Sequence, residues 1–347
     1  MGDTKIAVLG SGANGASIGA DLTRAGLDVT LIEQWPEHVE AMRSRGVEVR
    51  MPHCTERTPV RAFNLCDVAT FRDKFDVVLI LMKAYDTRWA SELVKPVLAD
   101  DGIVVGIQNG MTIDPMADVL GAHRTLGCVI EVASNMFEPG IVNRDTPREQ
   151  SWFAVGGIEE HAHARAADIA AILAHAGRVE VSDDIRSSKW MKLVANSTEL
   201  VTSAVLNMTV MEAVQVPGMH DLMIEAGNEA VRTALQLGHT LRPIIGMTEA
   251  DLTEPDRFAA ALLDVVHDVY SIPGQKTTVL QDWLKGRRSE VHEINGHVVR
   301  EQLRLGGTAP VNSAVVDIAE AVEHGTLTAG PDVAPMLIER AGLSIVK

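Results

Sequence analysis

The chain has 347 residues, of which 46% are hydrophobic and 22% charged, so it is long enough for two globular domains. Its formal net charge of −16 argues against nucleic acid or an anionic membrane as a partner. We expect a cytoplasmic protein for three reasons. The three cysteines form no CxxC pair, the N-terminus has no signal-peptide pattern, and no apolar run is long enough to span a bilayer.

The N-terminal stretch has the layout of a dinucleotide-binding site. An apolar run at 5–9 leads into a glycine-rich turn, and a helical pattern and a second apolar run at 28–32 follow, ending at Glu33. The turn consists of Gly10, Ser11, Gly12, Ala13, Asn14 and Gly15. A carboxylate at position 33 would accept hydrogen bonds from ribose hydroxyls and repel a 2′-phosphate, which favours NAD(H) over NADP(H). The alternative is a glycine turn in another kind of α/β protein.

The first half of the chain alternates short apolar runs with helical patterns, which predicts βαβ units and a mostly parallel sheet. The predicted strands are 5–9, 28–32, 59–63, 76–81, 102–107, 126–132 and 152–156. The predicted helices are 14–25, 36–45, 86–98, 112–119 and 161–175. The stretch 127–156 is expected to add an antiparallel segment at the sheet edge.

After residue 182 almost every pattern is helical. The predicted helical stretches are 186–206, 208–214, 217–238, 254–270, 275–285, 289–305 and 311–323. We therefore predict an α/β fold. A Rossmann domain with a doubly wound, mostly parallel sheet (1–182) binds the dinucleotide, and an all-helical domain (183–347) binds the substrate and dimerises.

Two polar residues follow predicted strands of the sheet. Lys83 comes after the strand at 76–81, and Asn109 with Gly110 comes after the strand at 102–107. Ligands bind at the carboxyl ends of parallel strands, so both side chains are candidates for coenzyme or substrate binding. An Asn-Gly pair is equally a turn signal, and that alternative stays open.

The helical part contains a further polar pair. Lys192 and Asn196 are spaced i, i+4 and share one face of an otherwise apolar helix. A surface lysine whose stem lies along apolar side chains is the alternative for Lys192. Glu290 lies near a helix start, where it could face a substrate or simply favour the helix dipole.

The order of these motifs resembles the ketopantoate reductase (2-dehydropantoate 2-reductase) family almost from end to end. The matching segments are Gly10-Ser11-Gly12-Ala13-Asn14-Gly15, Lys83-Ala84, Gln108-Asn109-Gly110-Met111, Lys189-Trp190 with Lys192-Leu193 and Asn196, Leu280-Gln281-Asp282, Glu290 with Ile294-Asn295-Gly296, and Pro310 with Asn312. The resemblance implies hydride transfer between a nicotinamide and a 2-oxo acid, with Lys192 as the general acid. It also implies that Asn109, Asn196 and Glu290 line the substrate site and that Lys83 lies near coenzyme and substrate.

The chain also departs from the pattern of that family. Leu200 stands where a second asparagine is usual, Val210 replaces a further asparagine of the substrate pocket, and Thr278 replaces a serine. Glu33 is unexpected in a family that typically prefers NADPH. We therefore expect the substrate site to include Lys192, Asn196, Leu200, Val210, Thr278 and Glu290, and the substrate to be less polar than ketopantoate.

A D-mandelate-type 2-hydroxyacid dehydrogenase that uses NAD(H) fits these departures best, with NADP(H) as the second possibility. The alternatives are authentic ketopantoate reduction with NADPH in pantothenate biosynthesis and a nucleotide-binding sensor without turnover. The expected partners are a small 2-oxo acid or ketone and, by analogy, a second copy of the chain. The sequence has no metal-site pattern, since neither His161 with His163 nor His292 with His297 has ligand spacing.

Overall fold

The computed structural model describes residues 4–252, 254–266 and 274–344. The chain divides into two compact units, Met1–Arg186 and Ser187–Lys347. The sequence predicts a division close to this point, after residue 182. The binding roles of the two parts stay predictions.

Unit 1 contains an eight-stranded sheet among its described residues, in the order β12-β11-β8-β7-β6-β1-β2-β5. Its strands are β1 (Lys5–Leu9), β2 (Asp28–Glu33), β5 (Arg61–Asn64), β6 (Phe75–Ile80), β7 (Leu98–Ile107), β8 (Thr125–Glu131), β11 (Trp152–Gly157) and β12 (Arg178–Val181). All neighbouring pairs are parallel except β8 with β11. The mostly parallel sheet confirms the predicted α/β class.

Helices cover both faces of this sheet, so successive strand residues enter opposite cores. Ile6 and Val8 of β1 belong to one buried cluster, and Ala7 and Leu9 belong to the other. Because both faces are buried, the central strands are continuous apolar runs. The helices of unit 1 are α1 (Ala13–Arg24), α2 (Pro36–Arg45), α3 (Thr87–Val94), α4 (Ile113–Leu120), α5 (Glu160–His163) and α6 (Ala166–Leu173).

A second sheet of four strands, in the order β4-β3-β10-β9, was not predicted. Its strands are β3 (Val47–Met51), β4 (Cys54–Thr58), β9 (Ser134–Glu138) and β10 (Ile141–Arg144). The expected antiparallel addition within 127–156 is confirmed for β11, but the outermost strand on that side is β12. Strands β9 and β10 of that stretch belong instead to the second sheet, where β10 pairs with β3, which is distant in sequence.

Two predicted helices of unit 1 are shorter in the structure. The helix expected at 86–98 ends at Val94, a short 3-10 turn at Lys95–Val97 follows, and β7 begins at Leu98. Pro96 lies in that turn, and a proline lacks the N–H that would continue the helix. The helix expected at 161–175 is divided into α5 and α6.

Unit 2 is helical in its described residues. Its helices are α7 (Ile185–Ala204, which starts two residues before the unit), α8 (Val210–Ala213), α9 (Met219–Gln236), α10 (Pro255–Val265), α11 (Thr278–Leu284), α12 (Asn295–Arg304), α13 (Pro310–Glu323) and α14 (Val333–Arg340). The predicted helix 254–270 corresponds to α10, and its last four residues lie outside the described part of the chain. Helix α14 was not predicted.

Close packing holds α9 against α7. A Cβ on Gly227 of α9 would lie 2.4 Å from Thr198 Oγ1 and 2.7 Å from the Cβ of Ala259 on α10, so only glycine fits there. In the part of the chain that the structure describes, no helix is both long and apolar enough to cross a membrane.

Candidate functional site

Four of the coenzyme candidates of unit 1 follow or end strands at one edge of the large sheet. Strands β7, β6, β1 and β2 are adjacent and parallel, so their carboxyl ends meet at the same edge. Gly10 follows β1, Glu33 ends β2, Lys83 follows β6 and Asn109 follows β7. The topology therefore brings these predicted residues to one edge of the sheet.

The glycine turn between β1 and α1 requires glycine at two positions for steric reasons. Gly10 has a φ of +90°, and a Cβ there would lie 2.7 Å from the backbone nitrogen of Met82. A Cβ on Gly15 would lie 2.1 Å from the carbonyl oxygen of Gly10. The Gly10 N–H donates to the carbonyl of Ile32 at 2.9 Å, which ties the turn to β2.

Gly12 is different, because a Cβ built on it would meet no heavy atom within 4 Å. It immediately precedes α1, and a helix start presents backbone N–H groups and a partial positive charge to an anion. Open space at a helix start is what a pyrophosphate needs to approach the backbone. The turn therefore fits the phosphates of a dinucleotide.

Two further residues of the turn have defined side-chain bonds. The Ser11 hydroxyl is buried and donates to the carbonyls of Val8 and Ile32, at 3.3 and 3.4 Å, so it supports the turn from inside. The Ser134 hydroxyl, on β9, donates to the side-chain carbonyl of Asn14 in the first turn of α1. The second sheet thus contacts the helix start, which the sequence did not indicate.

Glu33 is the last residue of β2. It is 6% exposed, so its side chain is mostly buried. One carboxylate oxygen accepts the N–H of Trp35 at 3.1 Å, which orients the carboxyl group. A buried, oriented carboxylate at this edge suits two ribose hydroxyls and disfavours a phosphate in the same place.

Gln108 positions the segment that carries Lys83, and sequence reasoning did not single it out. Its side-chain amide is buried and donates to the carbonyl of Met82 at 2.8 Å and to Thr87 Oγ1 at 3.1 Å. Both acceptors flank the turn after β6. The signal was its place immediately before Asn109 at the end of β7.

Lys192 and Asn196 lie on α7, as predicted, with one helical turn between them. Asn196 is 1% exposed and Lys192 is half-buried. The carbonyl of the next residue, Ser197, accepts a hydrogen bond at 3.0 Å from the side-chain amide of Asn295 on α12. This bond holds the middle of α7 where the polar pair is located.

The matching residues Asn295 and Asn312 belong to a buried network rather than to a surface. The Asn295 amide also donates to Asn312 Oδ1 at 2.8 Å, and the Asn312 amide donates to the carboxylate of Glu229 at 2.7 Å. Glu229 accepts the backbone N–H groups of Val311 and Asn312 at 2.9 Å each, which caps α13. Burial raises the pKa of Glu229, and the bonds from Asn312 oppose that rise. The network joins α7, α9, α12 and α13.

Glu290 is 3% exposed and directly precedes a short 3-10 turn at Val291–Glu293. Its side chain makes no capping hydrogen bond to that turn, and its role towards a substrate stays a prediction. The adjacent Ser289 donates both its N–H (3.1 Å) and its hydroxyl to Glu323 Oε1, which also accepts the indole N–H of Trp283 at 2.8 Å. Glu323 therefore fixes the segment that carries Glu290.

The three predicted pocket residues that depart from the family pattern lie in unit 2. The Thr277 hydroxyl, at the N-cap of α11, donates to the carbonyl of Leu200 at 3.1 Å, which places Thr278 near the C-terminal half of α7. Val210 is 9% exposed and begins α8, where Thr209 and Glu212 form a capping box. Among the described residues, no group of three or more His, Cys, Asp or Glu side chains is placed to hold a metal ion.

Comparison with known proteins gives two family matches that together cover most of the chain. Residues 6–156 match the family described as "Ketopantoate reductase PanE/ApbA", and residues 184–323 match "Ketopantoate reductase PanE/ApbA C terminal". The chain belongs to the ketopantoate reductase family. It is accordingly an NAD(P)-dependent oxidoreductase of the class that acts on CH–OH groups, as the resemblance implied.

Individual members of the family are distant from this chain. A 2-dehydropantoate 2-reductase of Archaeoglobus fulgidus is 23% identical over 331 residues, covering 92% of this chain and 98% of that protein. The crystal structure of a PanE/ApbA family ketopantoate reductase from Ralstonia eutropha JMP134 is 28% identical with a TM-score of 0.75, covering 93% of this chain and 99% of that one. A ternary structure of D-mandelate dehydrogenase with NADH and anilino(oxo)acetate has a TM-score of 0.82 at 20% identity, covering 93% of this chain and 99% of that one. This likeness shows a shared fold.

Proposed function

We propose that this family member uses NAD(H) to interconvert a 2-oxo acid and its 2-hydroxy acid, and that its substrate is less polar than ketopantoate. The observation that carries the proposal is the pair Lys192 and Asn196 on one face of α7, with Asn196 buried and the adjacent carbonyl held by Asn295. A buried amide beside a lysine on a supported helix suits the recognition and protonation of a ketone oxygen.

The coenzyme, when bound, supplies or accepts the hydride. Addition of hydride to a ketone builds negative charge on its oxygen, and the Lys192 ammonium would stabilise that charge and donate the proton. In the reverse direction the amine would take the proton from the alcohol. Asn196, Asn109 and Glu290 would orient the substrate by hydrogen bonds, as the family resemblance implies.

Three residues support a less polar substrate. Leu200 and Val210 carry no hydrogen-bonding groups in their side chains, and Thr278 adds a methyl group to a hydroxyl. A site that lacks donors and acceptors for a substrate hydroxyl loses its preference for that hydroxyl. We therefore favour an aromatic or branched 2-oxo acid and a D-mandelate-type activity. The D-mandelate dehydrogenase likeness contributes the fold only.

The choice of substrate and of catalytic residue is tested by following NADH absorbance with a panel of 2-oxo acids that includes ketopantoate and phenylglyoxylate. Lys192→Ala should lower kcat by about 10²–10⁴-fold, the usual range for loss of an acid catalyst. The matched control is Lys276→Ala, which changes an exposed lysine at the start of the α11 segment and should leave kcat unchanged. Undiminished turnover in Lys192→Ala would remove this lysine from the mechanism.

The preference for NAD(H) rests on Glu33. Replacing its carboxylate and adding a cation on the exposed neighbour, in Glu33→Ala with Gln34→Arg, should shift the ratio of kcat/KM values from NADH towards NADPH. Gln34→Arg alone is the control, because it keeps the carboxylate. An unchanged ratio in the double variant would contradict the role of Glu33.

Authentic 2-dehydropantoate 2-reductase activity with NADPH is the second candidate, and the curated relative from Archaeoglobus fulgidus carries that name. A kcat/KM for ketopantoate with NADPH that exceeds every other pair in the panel would establish it in place of our proposal.

We further propose a cytoplasmic homodimer. None of the three cysteines forms a disulfide, which agrees with a reducing compartment. Unit 2 exposes several large apolar side chains, among them Leu303 (64%) and Met336 (46%), which could be covered by a second copy. Light scattering during size-exclusion chromatography measures the oligomeric state directly, and a monomer at micromolar concentration would refute the dimer.

A further inference from the structure

One buried histidine of unit 1 connects the glycine turn to the second sheet. His38 lies in the first turn of α2, and its residue is 0% exposed. Its Nε2 is 2.9 Å from the carbonyl oxygen of Ser11, in the glycine turn. Its Nδ1 accepts the N–H of Gly140, between β9 and β10, at 2.8 Å. The Trp35 ring packs beside it, with ring centroids 5.9 Å apart.

These two bonds determine the tautomer of the ring. A backbone N–H can only donate, so Nδ1 must be the unprotonated acceptor of the Gly140 bond. Nε2 then carries the hydrogen and donates it to the Ser11 carbonyl. Burial lowers the pKa of His38, while the Ser11 bond acts in the opposite direction, so the neutral form is favoured at neutral pH.

The Ser11 carbonyl and the Gly12 N–H belong to the same peptide unit. In a trans peptide these two groups point in opposite directions, and the chain contains no cis peptide bond among its described residues. A donor that holds the carbonyl therefore also holds the N–H, on the other side of the peptide. The space beside Gly12 is open, because a Cβ built on this residue would have no heavy atom within 4 Å.

Without this donor, a peptide next to glycine could rotate. Glycine has low barriers between backbone conformations, and rotation of the 11–12 peptide would turn a carbonyl oxygen towards a bound phosphate. An N–H donor at a helix start attracts a phosphate, whereas a carbonyl oxygen repels it.

We propose that His38 is a positioning residue for the coenzyme pyrophosphate, because its Nε2–H holds the peptide that presents the Gly12 N–H. The Gly140 bond keeps the ring in the tautomer that can donate. The inference rests on the proposed function in one respect, that a nicotinamide dinucleotide binds at this turn.

Two conservative variants separate the two bonds of the ring. The side-chain amide of glutamine reaches as far as Nε2, so His38→Gln keeps a donor for Ser11. The shorter asparagine reaches only the position of Nδ1, so His38→Asn keeps an acceptor for Gly140 and loses the donor for Ser11. The NADH dissociation constant, from fluorescence titration, should stay within about twofold of wild type in His38→Gln and rise about tenfold in His38→Asn, as for loss of one hydrogen bond to the turn.

The matched control is His163→Asn in the same unit. The Nδ1 of His163 also accepts a glycine N–H, from Gly157 at 3.4 Å, but that glycine ends β11 and not the glycine turn. This variant should bind NADH as wild type does. A purely structural role for His38 would lower thermal stability in both His38 variants and weaken NADH binding equally, and that result would overturn the proposal.

The tautomer gives a test that needs no variant. Nitrogen chemical shifts of the folded wild-type protein labelled with ¹⁵N-histidine should assign the proton of His38 to Nε2. A proton on Nδ1 would overturn the proposal, because the ring could then not donate to Ser11. Normal NADH binding by wild type together with equal binding by both variants would refute the role of His38 alone. Failure of wild type to bind either nicotinamide dinucleotide would refute the proposed function and this inference with it.

Discussion

Gly12→Ala tests whether the open space beside Gly12 is needed for coenzyme binding and not for folding. The backbone of Gly12 has φ −66° and ψ −156°, an extended conformation with negative φ at the edge of the region open to alanine. Its Cβ would meet no protein atom within 4 Å. Gly12 is the N-cap of α1, where alanine is less favourable than glycine, so the variant should fold with a loss of no more than about 1 kcal/mol.

The same methyl group should weaken coenzyme binding. A phosphate oxygen bonded to an N–H at this helix start would contact the new Cβ, and moving away from it would lengthen that bond beyond a normal hydrogen-bond distance. Loss of one bond from an N–H to a charged phosphate corresponds to about 1.5–3 kcal/mol, or about 10–100-fold in the dissociation constant. Fluorescence titration with NADH measures the affinity, and thermal unfolding measures the stability.

Gly15→Ala is the contrasting variant. Its Cβ would lie 2.1 Å from the Gly10 carbonyl oxygen, so the helix start or the turn must shift, and we expect a loss of folding stability together with a loss of binding. Wild-type NADH affinity in a stably folded Gly12→Ala protein would refute the reasoning that the open space at the turn belongs to the pyrophosphate.

Three further predictions concern buried polar groups. Asp21→Asn should lower the free energy of unfolding, measured by chemical denaturation, by about 3–5 kcal/mol, because it leaves the fully buried guanidinium of Arg144 without its carboxylate. The control is Asp73→Asn, which removes an exposed ion pair and should not change the melting temperature. Below pH 6.5 the unfolded chain binds a proton at His38 that the buried ring, with its lowered pKa, does not bind in the folded protein. The unfolding free energy should therefore fall between pH 6.5 and 5 more in wild type than in His38→Gln. Parallel pH curves for the two proteins would contradict this. Asn312→Leu should lower the melting temperature and raise the KM for the 2-oxo acid, because it breaks the hydrogen bonds to Asn295 and Glu229 that support α7. An unchanged melting temperature would contradict the idea that this network supports α7.

Much of the central sheet and of the candidate site could be predicted because the signals are local. The run of Ile6 to Leu9, the glycine turn and Glu33 all lie within the first 33 residues, and each residue type has a steric or electrostatic requirement that holds wherever the segment folds. Lys192 and Asn196 share a helix face because their spacing is a property of the α-helix itself. The supporting roles of Gln108 and Glu323 were not predicted, since their partners are defined by contacts between elements.

Short motifs in the sequence were enough to predict a dinucleotide-binding turn and a polar helix face, because strand ends, tight turns and helix faces follow from local geometry, and the order of the motifs pointed to the family and its chemistry. Tertiary structure alone decided what lies against them. Strand β3 pairs with β10 across about 90 residues, and His38 meets Ser11 and Gly140 from three separate segments. A periodic pattern of apolar residues does not predict such pairings, because they depend on which distant segments meet in the folded chain. These contacts also determine which backbone groups are fixed in position.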